Sequence, residues 1–303
     1  MEKVTVFLLS SNRPNFIGET IDSIAGQSSK NFKLIVSDNS SNDEVEKLIK
    51  NKYQDLSYIR RTPRLPALEH FKTVLSEVKS EYFVIFHDDD LMHEDYISRM
   101  VEVLDQDASL SAVGCNAWII KDYDITKRIF FQQKERKKII RTIEDLITPY
   151  LRFLDRVAPF PGYMYRTEKV KGLFLDASEG GKYSDTSFLM KVAARSSICW
   201  LKDPLMYYRF HSGNDSGENS IPQHLRLLRF IFKNTSLERQ DDLINQYKFA
   251  YWLKWILNRD NWKESICSFR KFRIIAKFVF FRGSFILIKN PEIFKRIIYN
   301  KIF

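Results

Sequence analysis

Tyr82-Phe83-Val84-Ile85-Phe86-His87-Asp88-Asp89-Asp90 is the stretch that decides how this chain folds. Its first five residues are aromatic or β-branched and uncharged, the mark of a central strand buried on both faces. Three carboxylates follow at once, at the strand's carboxyl end. Their ionised forms repel one another, so something must hold them together. A divalent cation is the usual agent. Hard oxygen ligands select Mg²⁺ or Mn²⁺, ions that commonly bridge carboxylates to a diphosphate. The plainer alternative is a polar loop whose aspartates cap the next helix.

Upstream of that strand, Val4 to Leu9 reads as a strand and Phe16 to Gln27 as a helix with Phe16, Ile17, Thr20, Ile21 and Ile24 on one face. Lys33 to Ser37 is a second strand. The turn Asp38 to Asp43 precedes a helix over Glu44 to Lys52, with Asn42 or Asp43 as cap. Leu56 to Arg60 is a third strand and Pro66 to Val78 a helix. Downstream, Tyr96 to Leu104 is helical and Leu110 to Ile120 holds a strand. This alternation predicts an α/β, Rossmann-like, mostly parallel sheet with helices on both faces. Ligands bind such sheets beyond the carboxyl ends of the strands. Ser10, Ser11, Asp38 and Asp88 to Asp90 all fall at such ends.

Beyond residue 120 the pattern is coarser. Residues 121–150 are charged and irregular, and Pro159 to Arg166 and Ser178 to Asp185 read as loops broken by glycine. Asp185 to Ala194 reads as a helix, Ile198 to Leu201 as a short strand, and Tyr207 to His211 as an aromatic extended run. Ser212 to Ser220 is a flexible Gly/Ser/Asn-rich stretch, and from Pro222 the spacing is helical.

The chain has 303 residues, 44% hydrophobic and 28% charged, enough for a real core and against wholesale disorder. Cys115, Cys199 and Cys267 are odd in number and far apart. They argue against a disulfide framework or a cysteine zinc site, and for a reducing compartment. The N-terminus has no signal-peptide pattern, and no uncharged stretch approaches the ~20 residues of a membrane-spanning helix. Residues 218–303 hold 17 Lys and Arg against 7 Asp and Glu, which accounts for the whole net charge of +10. A neutral functional domain over 1–217, followed by a basic amphipathic helical region over 218–303, is the expected organisation. Within 265–303 nine Lys and Arg face a single acid, Glu292, among many Phe and Ile. That composition suits an anionic membrane surface. A helical subdomain packed on the core is the alternative, and nucleic acid is a poorer partner for so apolar a region.

Several segments together resemble family 2 glycosyltransferases, which have the GT-A fold. Val4 to Pro14 resembles their first strand and nucleotide-contacting turn, and Gly18 to Ser28 their first helix with its Ser-Ile-x-x-Gln close. Leu34 to Asp43 is similar to the second strand and its Asp-Asp-Gly-Ser-x-Asp turn, with Asn39 and Ser40 replacing the second Asp and the Gly. Phe86 to Leu91 resembles the metal-binding DxD motif, and Tyr208-Arg209-Phe210-His211-Ser212 the Tyr-Arg-x-His element. The resemblance covers residues 3 to about 217.

It implies an inverting, metal-dependent transfer of a sugar, from a UDP-hexose or UDP-N-acetylhexosamine donor to a saccharide or lipid-linked acceptor. The setting implied is capsule, O-antigen, lipopolysaccharide or exopolysaccharide assembly, at the cytoplasmic face of the membrane. Ser10, Ser11, Asp38, Arg64, Asp88, Asp89 and Arg209 are the implied nucleotide-sugar contacts. Asp88, Asp90 and His211 are the implied ligands of Mn²⁺ or Mg²⁺, with Asp90 the preferred direct ligand and Asp89 its alternative. Asp185 is the implied catalytic base, with Glu179 and then Asp176 behind it. Pro161-Gly162-Tyr163 and Trp118 are candidate acceptor walls. Two other readings compete. A nucleotidyltransferase would carry a glycine-rich phosphate loop where this chain has Ser10-Ser11-Asn12-Arg13-Pro14. A catalytically inactive sugar-binding relative would not be expected to keep Asp38, Asp88, Asp90, Asp185 and His211.

Overall fold

The structure, a computed structural model, describes residues 2–121, 123–152, 155–211 and 221–257, with side chains described as far as Tyr251. It divides into two compact units: residues 1–143, 157–176 and 188–212 form the first, and 144–156, 177–187 and 213 onward the second.

In the first unit, β1 (Val4–Ser10) is buried at every residue, as its unbroken apolar run requires. It pairs in parallel with β2 (Phe32–Asp38) on one side and β4 (Tyr82–His87) on the other, and β3 (Ser57–Arg60) extends the parallel run beyond β2. Helices α1 (Pro14–Ala25), α2 (Glu44–Lys52) and α3 (Ala67–Glu77) connect these strands. α1 starts on Pro14, where a missing N–H costs nothing, and buries Ile17, Thr20, Ile21 and Ile24. After β4 come the two-residue β5 (Leu91–Met92), α4 (Tyr96–Gln106), β6 (Ala112–Lys121), β7 (Asp124–Ile129) and β8 (Lys137–Ile140).

Pro159 to Arg166 is not a loop. A single turn, Phe160–Gly162, leads into β9 (Tyr163–Arg166), which is wedged antiparallel between β4 and β6. This makes the ten-stranded sheet mixed, in the order β3-β2-β1-β4-β9-β6-β10-β5, with β7 on β6 and β8 on β10. A Cβ at Gly114 would lie 2.7 Å from the Tyr163 ring, so β6 carries glycine where β9 passes. Tyr163 is fully buried, and its hydroxyl accepts a 2.8 Å bond from Trp200 Nε1, which removes it as an acceptor wall.

After β9 come α6 (Thr167–Val170) and α7 (Ala177–Gly180), which belong to the first and second units in turn, and then α8 (Ser184–Arg195). β10 (Ile198–Phe210) joins the predicted short strand and the aromatic run into one element, with its register to β6 shifting around Pro204, an irregularity of the kind proline marks.

The second unit also contains α5 (Ile143–Leu151, from Glu144), α9 (Ile221–Asn234) and α10 (Asp242–Leu257). Leu227, Leu228, Ile231 and Ile244 are buried in it. The His224 ring lies 4.3 Å from that of Tyr251 and is hydrogen-bonded to the Tyr183 and Tyr247 hydroxyls at 2.8 and 2.6 Å. The Ser212 to Ser220 stretch and the basic 265–303 segment lie outside the described residues. Among the described residues, no helix is long and apolar enough to cross a membrane.

Candidate active site

One face of α1 builds the floor. Thr20 Oγ1 lies 2.8 Å from the Asp90 carbonyl and 3.0 Å from that of Asp88. Three residues on, Ser23 Oγ accepts from Met92 N–H at 3.0 Å. Four further on, Gln27 donates to the His93 carbonyl at 2.6 Å and accepts from Ile97 N–H at 2.9 Å. Helical spacing puts Thr20 and Ser23 on the same side, and Gln27 follows just past the end of the helix. This gives the Ser-Ile-x-x-Gln pattern a physical reason: Ser23 and Gln27 fasten the segment that follows the aspartates, while Thr20 holds the aspartate turn itself.

The three carboxylates point to different partners. Asp88 accepts from Ser11 N–H at 3.0 Å and from Arg13 Nη1 at 2.9 Å. Burial outweighs Arg13 and pushes its pKa up to about 6. Asp89 Oδ2 lies 2.9 Å from His211 Nε2 and 3.3 Å from Arg13 Nη1. Burial opposes its charge, but His87, Arg13 and the His211 hydrogen bond prevail and hold its pKa low. Asp90 Oδ1 accepts from Arg209 N–H at 2.9 Å, while its Oδ2 is buried without a hydrogen-bond partner. Burial and the Asp89 charge drive its pKa well above the usual range. One ligand atom each from His87, Asp89 and Asp90 lies within 4.8 Å of the others. Carboxylate oxygens and an imidazole nitrogen suit Mn²⁺ or Mg²⁺, and a cation would satisfy the orphaned Asp90 oxygen. The residues therefore fit such an ion. The arrangement gathers His87, Asp89 and Asp90, whereas the sequence reading grouped Asp88 and Asp90 with His211.

Beside this cluster, Ser10 and Asp38 are register partners at the ends of β1 and β2. Asp38 is fully buried and accepts from Arg60 Nη1 at 2.6 Å, Tyr58 OH at 2.7 Å and Ser40 N–H at 2.9 Å. Ser10 Oγ is buried with no hydrogen-bond partner. Arg64 is exposed, and its Nε donates to the Asn39 carbonyl at 3.1 Å. Asn39 and Leu65 exchange two further bonds, at 2.8 and 2.9 Å, that pin the 61–66 segment over the end of β2.

Arg209 is 2% exposed. Its guanidinium donates to the Asp89 carbonyl and to Glu19, at 2.9 and 2.8 Å, and lies over Phe16. The His211 ring packs 4.8 Å from that of Phe16. Trp118 is half-buried on β6.

In the second unit, Asp185 is the second residue of α8, and its Oδ1 accepts from Thr186 N–H at 2.7 Å. Burial raises its pKa, and Tyr150 and Tyr183 are near enough to feel its charge. Glu179 is half-buried on α7, and Asp176 is exposed in the first unit.

Sequence reasoning passed over Arg13, Tyr58, Arg60 and Thr20. The signal for two of them was present. Tyr58 and Arg60 alternate on β3, so both face the same side of the sheet as Asp38.

A mixed sheet with acidic and hydroxyl groups at its strand ends places the protein among GT-A folds. The chain belongs to glycosyl transferase family 2, whose model matches residues 5–173. Residues 1–349 of S. aureus TarS superpose with a TM-score of 0.60 at 17% identity, over 84% of this chain and 73% of that one. The same protein in complex with UDP-GlcNAc gives 0.61 at 17%, over 84% and 74%. The mannosyltransferase PcManGT from Pyrobaculum calidifontis, in complex with GDP-Man and Mn²⁺, gives 0.53 at 16%, over 95% and 81%.

Proposed function

We propose that this glycosyltransferase moves a sugar, with inversion, from a nucleoside diphosphate donor to a hydroxyl of a saccharide or lipid-linked saccharide. The observation that carries the reading is the buried, unpartnered Asp90 oxygen beside Asp89 and His87, at the same sheet edge as Ser10 and Asp38. The complexes of similar folds with UDP-GlcNAc, and with GDP-Man and Mn²⁺, support it. Ser10 and Asp38 contact the nucleoside, with Ser11 and Arg64 at its margin. His87, Asp89 and Asp90 would hold Mn²⁺ or Mg²⁺, which when bound would supply Lewis-acid stabilisation of a diphosphate leaving group. Asp88 orders the β1–α1 turn through Ser11 N–H and Arg13, and Arg209 and His211 keep Asp90 and Asp89 in place. Asp185 takes the proton of the acceptor hydroxyl, a task that a raised carboxyl pKa favours. UDP is the preferred nucleotide and a hexose or N-acetylhexosamine the preferred sugar. The acceptor belongs to surface-polysaccharide assembly, and the basic 265–303 segment holds the enzyme to the anionic inner face of the membrane. The test is calorimetric. UDP should bind far more tightly with Mn²⁺ than with EDTA, and Asp90→Ala should abolish the difference. Equal affinity with and without the ion in the wild type would remove the metal from the mechanism.

A further inference from the structure

Arg13 lies directly before α1, outside helical conformation; its carbonyl accepts from Phe16 and Ile17 N–H, but its side chain makes no capping bond. Its side chain is spent on the aspartates instead. Nη1 lies 2.9 Å from Asp88 Oδ1 and 3.3 Å from Asp89 Oδ2, reaching in from a position 26% exposed to carboxylates that are 1% and 6% exposed. The backbone on both sides is fixed. Ser11 N–H donates to Asp88 at 3.0 Å. Asn12, at φ 58, donates its N–H to Ser40 Oγ at 2.8 Å and accepts from Ser41 N–H at 2.8 Å. The guanidinium is therefore delivered to the cluster by a braced turn.

Asp89 is the point of conflict. It belongs to the group that would hold a cation, and its Oδ2 already has a positive charge beside it. We propose that Arg13 is the resident counter-ion of this cluster and makes metal binding depend on nucleotide. The inference rests on the metal reading given above. While Arg13 stays on Asp89, a divalent ion meets both a shared ligand and a repelling charge. A diphosphate changes both. It offers the guanidinium a two-pronged anionic partner, and it brings negative charge to the ion. Metal and nucleotide then enter together.

Titration calorimetry of the full chain with MnCl₂ tests this, alone and with UDP present. Wild type should bind Mn²⁺ at least about tenfold more tightly with UDP, within the usual range of coupling between sites. Arg13→Gln should bind Mn²⁺ alone about tenfold more tightly than wild type and gain little from UDP, if the coupling resides in that charge. Arg13→Lys, which keeps the charge but not the two-pronged geometry, should bind Mn²⁺ alone no more tightly than wild type. Arg13→Met, which keeps the apolar stem, replaces the glutamine variant if that one fails to fold. If wild type binds Mn²⁺ with UDP but neither neutral variant binds it more tightly alone, the counter-ion role is overturned and the metal reading stands. If wild type binds no Mn²⁺ in either arm, the metal reading falls and this inference with it.

Discussion

His211 Nε2 sits 2.9 Å from Asp89 Oδ2 and so ties the exit of β10 to the turn after β4, 122 residues away in the chain. Phe16 packs on the same imidazole from α1, so three separate elements meet around His211. Hydrogen bonds to charged groups contribute about 1.5–3 kcal/mol. His211→Ala should therefore weaken Mn²⁺-dependent UDP binding by roughly ten- to a hundredfold. Calorimetry with UDP and Mn²⁺ reads the change. An unaltered affinity would reduce His211 to a packing partner of Phe16.

Asp185→Asn keeps the size of the side chain and its ability to accept from Thr186 N–H, but not its basicity. Folding and UDP affinity should be preserved, and turnover should fall by roughly 10²–10⁴, the usual contribution of a general base. If the variant keeps most of its turnover, the base lies elsewhere and Glu179 is the next residue to replace.

His70 supplies a pH dependence of stability. Burial and the Arg61 charge lower its pKa from 6.5 to about 4. Arg61 Nε donates to Ser37 Oγ at 2.8 Å, so that hydroxyl can give its proton to His70 Nε2 at 2.7 Å. The folded state therefore holds the ring neutral, while the unfolded chain protonates it below 6.5. Stability present above pH 6.5 is lost as pH falls, down to about 4, by about 2–3 kcal/mol from this group. Denaturant unfolding at pH 7.5 and 4.5 should show that extra loss in wild type and not in His70→Gln, which can still accept from Ser37. Equal losses in the two proteins would place the titration elsewhere.

The basic segment 265–303 makes a salt-sensitive prediction. Each Lys or Arg at an anionic surface contributes about 1 kcal/mol, weakened by screening. The full chain should co-sediment with anionic liposomes at low salt and be released at high salt. Binding that ignores salt, or that is equal on neutral liposomes, would reassign the segment to packing or to a protein partner.

The sequence by itself determined the strands β1 to β4, their parallel pairing and the polar groups at their carboxyl ends, while their order in the sheet came from the structure. β1 and β4 are predominantly apolar, buried runs and α1 carries a 3.6-residue stripe, so these elements are visible without any partner. Only the tertiary structure decided the middle of the sheet and the pairing within the aspartate cluster. β9 is four residues long, too short for a period, and its strand character comes from the β4 and β6 edges it joins. β10 is interrupted at Pro204 and is continuous only because β6 runs beside it through a register shift. Likewise, three adjacent aspartates are equivalent in sequence. Arg13, His211 and Arg209 N–H distinguish them, and these arrive from residues far along the chain, which no local pattern encodes.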